Sequence, residues 1–126
     1  NKFMFKKKTN FNVLYSHDIK STARFFQAIE AEISDLEADK VVVNLGDLEL
    51  HFVTPQSEPF QEYQFVAQGN FGGGNIFYVE VDNLEKTFNL IHEIGGRIYS
   101  QIQKNHWGCK EFLFQDLNGY NFVAYK

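Results

Sequence analysis

The chain has 126 residues with a net charge of −4, and 44% of them are hydrophobic and 22% charged. That fits one globular domain, large enough to bury a core without staples. The acidic balance argues against a nucleic-acid partner, and no apolar run approaches the roughly 18 residues of a membrane-spanning helix. A single cysteine, Cys109, excludes an internal disulfide, which suits a reducing compartment and makes a cytoplasmic setting the default expectation. The chain begins at Asn1 rather than Met, as a processed or trimmed chain would. Three lysines at 6–8 form the only basic cluster, and so short a run reads as a solvated arm. Fourteen Phe, six Tyr and one Trp suit either a core or an apolar ligand cavity.

After the arm, residues 11–16 read as a strand, and Asp18 is placed to cap a helix over 19–29. Short strands follow at 33–36, 41–45 and 48–53, the last two joined by Gly46-Asp47, a tight hairpin signal. Residues 55–74 hold both prolines and four of the nine glycines and read as a linker. Beyond it, residues 76–81 form a strand, Asp82 or Asn83 caps a helix over 84–94, and Gly95-Gly96 ends it. Strands at 97–101, 109–115 and 120–125 complete the chain, the last two joined through Asp116-Leu117-Asn118-Gly119.

The two halves repeat one another. Residues 18–33 match 83–98 without a gap at an offset of 65, with Ile19 on Leu84, Thr22 on Thr87, Phe25 and Phe26 on Leu90 and Ile91, and Ile29 on Ile94. The apolar positions recur at three- and four-residue steps, one buried stripe of a helix, and the same offset carries 11–16 onto 76–81. A strand–helix unit used twice predicts an α+β fold of two βαβββ modules in one domain over residues 1–126. Module one spans about 10–54, the linker 55–74 and module two 75–126. Strand alternation gives each module one apolar face under its helix and one mixed face left to line a cavity or a partner chain.

The motifs Asp18-Ile19-x-x-Thr22-x-x-Phe25-Phe26, Val79-Glu80-Val81-Asp82-Asn83-Leu84, Gly95-Gly96, Trp107-Gly108 and Phe112-Leu113-Phe114-Gln115-Asp116-Leu117-Asn118-Gly119-Tyr120 stand in order along residues 11–126. In that order the chain resembles the vicinal oxygen chelate superfamily of glyoxalase I, bleomycin-resistance proteins and extradiol dioxygenases. The resemblance implies an incompletely closed, eight-stranded mixed barrel with two flanking helices, a ligand on its concave face, and a homodimer. Metal-using members hold a divalent ion with four side chains from the first and last strand of each module. Carried over, those positions are Phe11, Glu49, Ile76 and Val123. Only Glu49 offers a donor atom, whereas a divalent cation needs several. The resemblance therefore implies the fold without its metal chemistry, and no cofactor is expected.

Glu49 is the best candidate for a catalytic group. Among apolar neighbours it would be desolvated and suited to acid–base work or to gripping a polar ligand group. A partly solvated carboxylate paired with a basic residue is the simpler role. His51 shares its face, Tyr125 lies near it if the last strands correspond, and Tyr78 and Glu80 flank Ile76 on alternate positions. Trp107 suits stacking on a flat ligand or packing at the barrel edge. The ligand-binding set expected is thus Phe11, Glu49, His51, Ile76, Tyr78, Glu80, Trp107, Val123 and Tyr125. His106 and Cys109 have an H-x-x-C spacing with no second pair, so Cys109 reads as a buried inert thiol. Residues 69–75 are glycine-rich without the Lys-Ser/Thr of a phosphate loop and read as a flexible crossover.

Three functions follow in order of fit. The first is metal-free binding of a small organic molecule in an apolar, aromatic cavity, on the pattern of bleomycin resistance. The second is a glyoxalase-type lyase or isomerase, or a dioxygenase, with nickel, zinc or iron in a non-standard site built on Glu49. The third is a structural or regulatory dimer that uses no ligand.

Overall fold

The structure, a computed structural model, describes residues 4, 10–57 and 71–126. The basic cluster at 6–8 and the interior of the linker lie outside the described residues. Module one runs β1 (Asn12–Tyr15), α1 (Ile19–Ala28), β2 (Glu32–Leu36), β3 (Lys40–Leu45) and β4 (Leu48–Val53), followed by a short 3-10 turn at Pro55–Ser57. Module two runs β5 (Ile76–Glu80), α2 (Leu84–Glu93), β6 (Arg97–Ile98), β7 (Gln103–Lys104), β8 (Lys110–Gln115) and β9 (Asn121–Tyr125). The expected strand at 97–101 is cut short to β6, where the Tyr99 amide and the Ser100 hydroxyl take over bonding to Leu113, and β7 is a further short strand beyond it; both pair with β8.

Each module forms its own sheet, ordered β1-β4-β3-β2 and β5-β9-β8-β6. In both, the first strand runs parallel to the last and the remaining pairs are antiparallel. Two βαβββ modules are what the duplicated sequence predicts, and among the described residues the two sheets do not join into a closed barrel, in keeping with the incompletely closed barrel the resemblance implies. The helix boundaries follow from local chemistry. The Asn83 side chain accepts from the Lys86 amide at 3.0 Å and caps α2, whereas Asp18 at the start of α1 accepts from the Ser21 hydroxyl instead of making the expected capping bond.

Helix α1 buries Ile19, Thr22, Phe25 and Phe26 of the stripe the repeat specifies, while α2 buries only Leu84 and Ile91 and leaves Ile94 exposed; both sheets share one core. Phe26 of α1 is its hub, with ring centroids 5.5 Å from Phe52 on β4 and 5.8 Å from Phe122 on β9. Phe26, Phe52, Phe112, Phe114, Phe122, Leu50, Val41, Val43 and Ile91 are all fully buried. Much of the aromatic content therefore fills this core, where rings supply a large apolar area with defined edge and stacking geometry.

A buried polar network locks the modules together at the β8–β9 turn. Asn118 accepts from the His17 amide at 2.9 Å and donates to the Thr22 hydroxyl at 3.0 Å, and the Thr22 and Ser16 hydroxyls share a 2.8 Å bond. The Tyr15 amide donates to the Tyr120 hydroxyl at 2.7 Å. The same turn receives the end of the linker. Gly72 packs so closely that an added Cβ would sit 1.8 Å from the Gly119 carbonyl oxygen. Asn121 donates to the carbonyls of Gly72 and Asn75, and Phe71 stacks on His17 at 4.5 Å. Residues 71–75 are therefore held in place, not a free crossover as their glycine content predicts.

Candidate ligand-binding face

The core takes alternate residues of each strand, so their neighbours lie on the opposite face of each sheet. On module one this outward face carries Val13, Glu49, His51 and Val42, with His51 level with Val13 on one side and Val42 on the other. On module two it carries Ile76, Tyr78 and Glu80 of β5, Glu111, Leu113 and Gln115 of β8, and Asn121, Val123 and Tyr125 of β9. Several large apolar side chains on these faces stay uncovered: Phe11 at 53%, Ile76 at 51%, Tyr78 at 49% and Trp107 at 65% exposure.

The expected site residues fall into two groups. In the first, His51 Nε2 meets Glu49 Oε2 at 2.5 Å, and Phe11 stacks on the imidazole with centroids 4.2 Å apart and planes 17° from parallel. Glu49 is therefore not an isolated acid among apolar side chains; it is a half-buried partner of a histidine. An imidazole held this way by a carboxylate is fixed in orientation and suited to hydrogen-bonding a ligand or relaying a proton. In the second group, Tyr78 lies 6.3 Å from Trp107 and 6.3 Å from Tyr125, while Val123 is buried between Tyr78 and Leu113. No ring contact joins the two groups among the described residues.

The four carried-over metal positions do not share one level. The ladders pair Asn12 with Leu50 and Phe77 with Phe122, so the counterpart of Glu49 is Asn121 and that of His51 is Val123. The connection from helix to last strand differs in length between the copies, so the ungapped repeat cannot align those strands. Among the described residues no three His, Cys, Asp or Glu side chains come together. Glu49 and His51 alone are too few donors for a divalent ion, so the described residues of one chain do not fit a metal centre.

Several residues on this face escaped the sequence reading. Tyr99 donates to Gln115 at 3.1 Å, and Glu111 accepts from Asn105 at 2.8 Å. The period-two alternation of β8 places Glu111 and Leu113 here, whereas Tyr99 follows a break in the strand that hydrophobic patterning does not reveal. Cys109, expected buried, is half-buried, with its amide donating to the Asn105 side chain. His106 packs against Trp107 at 4.4 Å, and His92 is exposed on α2.

The strongest electrostatic perturbation lies away from this face. Burial pushes the Asp116 carboxyl up to about 6, against the pull of the amides of Tyr120 and Asn118 that donate to it. Burial also raises the Tyr120 hydroxyl, to about 12, partly offset by the bond from the Tyr15 amide. Both groups belong to the lock between the modules.

No protein-family model matches the chain, and no curated protein matches it. Solved structures do. The hypothetical protein SA1046 from S. aureus superposes with a TM-score of 0.80 at 17% identity, over 96% of this chain and 94% of that one. A glyoxalase-related enzyme from Fulvimarina pelagi gives 0.78 at 14%, over 95% and 88%. A bleomycin-binding protein complexed with bleomycin gives 0.61 at 19%, over 95% and 98%.

The chain shares its fold with the glyoxalase-related enzyme and the bleomycin-binding protein. Proteins of that fold are thus similar to it along almost their whole length, as the order of the sequence motifs implies, although the identities are low. No described helix is long and apolar enough to cross a membrane.

Proposed function

We propose that this protein binds a small organic molecule on the outward faces of its two sheets, without a resident metal, as a homodimer. The observation that carries this reading is the exposure of Phe11, Ile76, Tyr78 and Trp107 on the faces that also present the Glu49–His51 pair. Apolar rings around a few polar groups are the usual make-up of a small-molecule site. So much exposed ring surface also calls for a covering body, and a second copy meeting the first about a two-fold axis would turn an open face into a cavity. The bleomycin-binding protein complexed with bleomycin, which has the same fold, is a model for such ligand binding. A reducing, cytoplasmic setting suits the lone thiol.

The test uses native mass spectrometry of the protein isolated from its own cells, together with titration of the single tryptophan's fluorescence by bleomycin. A non-covalent adduct that is lost on denaturation, or a saturable Trp107 response, supports the reading. A bare polypeptide with a flat titration counts against it. A metal-dependent lyase, isomerase or dioxygenase rests on the Glu49–His51 pair as two donors, with the rest supplied by another chain. Elemental analysis finding nickel, zinc or iron in stoichiometric amount would favour that reading instead.

A further inference from the structure

On the module-two face, the Glu80–Tyr125–Glu111 row sets a carboxylate on each side of an aromatic ring, since Tyr125 pairs with Glu80 across one ladder and with Glu111 across the other. Tyr78 lies next to this row, its ring 6.3 Å from Tyr125 and tilted by 56°, and 6.3 Å from Trp107 at 71°. The Tyr78 ring, set at a steep angle to each of the other two, gives aromatic faces in more than one direction, whereas a flat ligand would call for parallel ones. Glu80 is exposed, and neither Glu80 nor Glu111 forms an ion pair among the described residues. The nearby lysines Lys104, Lys110 and Lys126 do not compete for this face. Lys104 pairs with Lys110, and Lys110 and Lys126 alternate with Glu111 and Tyr125, so all three lie on the other side of the sheet.

We infer that the rings of Tyr78, Trp107 and Tyr125, flanked by Glu80 and Glu111, recognise a small organic cation, a quaternary ammonium or alkylated amine. Each ring face carries negative quadrupole charge that attracts a cation, and the effect grows where water is excluded. The carboxylates add charge complementarity on a chain whose net charge is −4. Module one offers no equivalent. The repeat sets Val13 opposite Tyr78, and the counterpart of Tyr125 on β4 is Val53. The cage is therefore a property of the second module alone. His106, packed on the far ring at Trp107, borders the cage without closing it.

This inference rests on the proposed ligand-binding face and narrows its ligand. The test compares choline with 3,3-dimethylbutan-1-ol, its uncharged carbon isostere, by Trp107 fluorescence and amide chemical shifts on the intact protein. Choline should bind at least about tenfold more tightly than the alcohol, in keeping with the strength of a partly desolvated cation–π contact. Tyr78→Leu and Glu80→Gln, both at exposed positions, should each weaken choline several-fold and by more than they weaken the alcohol, so that the preference for the cation shrinks. Equal binding of the two probes overturns the cation inference while leaving the ligand-binding face intact. No binding of either, with shifts absent from β5 and β9, removes the inference, and a bare protein in the mass-spectrometric test would remove the broader reading as well.

Discussion

Asn118 and Thr22 lie 96 positions apart, yet the Asn118 Nδ2 donates to the Thr22 hydroxyl at 3.0 Å inside the protein. The same side chain takes the His17 amide through its Oδ1. One residue in a hairpin turn of module two thus holds the strand–helix corner of module one. Asn118→Ala should cost about 2–3 kcal/mol, because buried donors and acceptors lose partners that water cannot replace. Chemical denaturation should show a lower midpoint at unchanged slope. A loss below about 0.5 kcal/mol, the range of ordinary surface changes, would mean that the turn is not a structural lock.

Asp116 makes the same lock sensitive to pH. Its carboxyl is raised from 3.8 to about 6 by burial, so the folded protein holds this proton more tightly than the unfolded chain. The stabilisation is complete below about pH 4 and is lost as pH rises through about 6. At about 1.36 kcal/mol per unit, the swing is on the order of 3 kcal/mol. Asp116→Asn cannot titrate, so wild-type stability measured relative to this variant should fall by roughly that amount between pH 4 and pH 7. Parallel pH profiles would show that the carboxyl is not perturbed.

Glu30 sits at φ 65 and is the only non-glycine residue with positive φ among the described residues. Its counterpart in the repeat is Gly95, at φ 73, where left-handed backbone ends a helix at little cost. The Cβ of Glu30 opposes that geometry, while its ion pair with Lys86 at 2.9 Å is exposed and contributes little. Glu30→Gly should therefore stabilise the protein by about 0.5–1 kcal/mol. A destabilised variant in thermal or urea unfolding would show that the ion pair outweighs the backbone strain.

The fold was legible because its signals are local and duplicated. The stripe from Ile19 to Phe26 and its copy from Leu84 to Ile91 specify both helices, and alternation in β4 separates Leu50 and Phe52 from Glu49 and His51. The candidate site was legible only in part. Alternation put Tyr78, Glu80 and Tyr125 on outward faces, and pairing then brought Trp107 beside Tyr78. Meeting points across strands depend on register, which the sequence does not specify where loops differ in length, and so Val123 aligns with His51 and not with Glu49. The bond between Glu49 and His51 depends on rotamers, and the break between β6 and β7 depends on hydrogen bonds from Tyr99 and Ser100. Neither leaves a periodic trace.

On this reading the outward faces line a cavity for a small molecule. A crystal structure of the protein purified from its own cells tests this most directly, with attention to the space beside Glu49, His51 and Tyr78. The expected result is a cavity bounded by these side chains and a second copy, holding non-protein density against the rings. Outward faces sealed by close packing of protein side chains alone, with no room for a ligand, would contradict it.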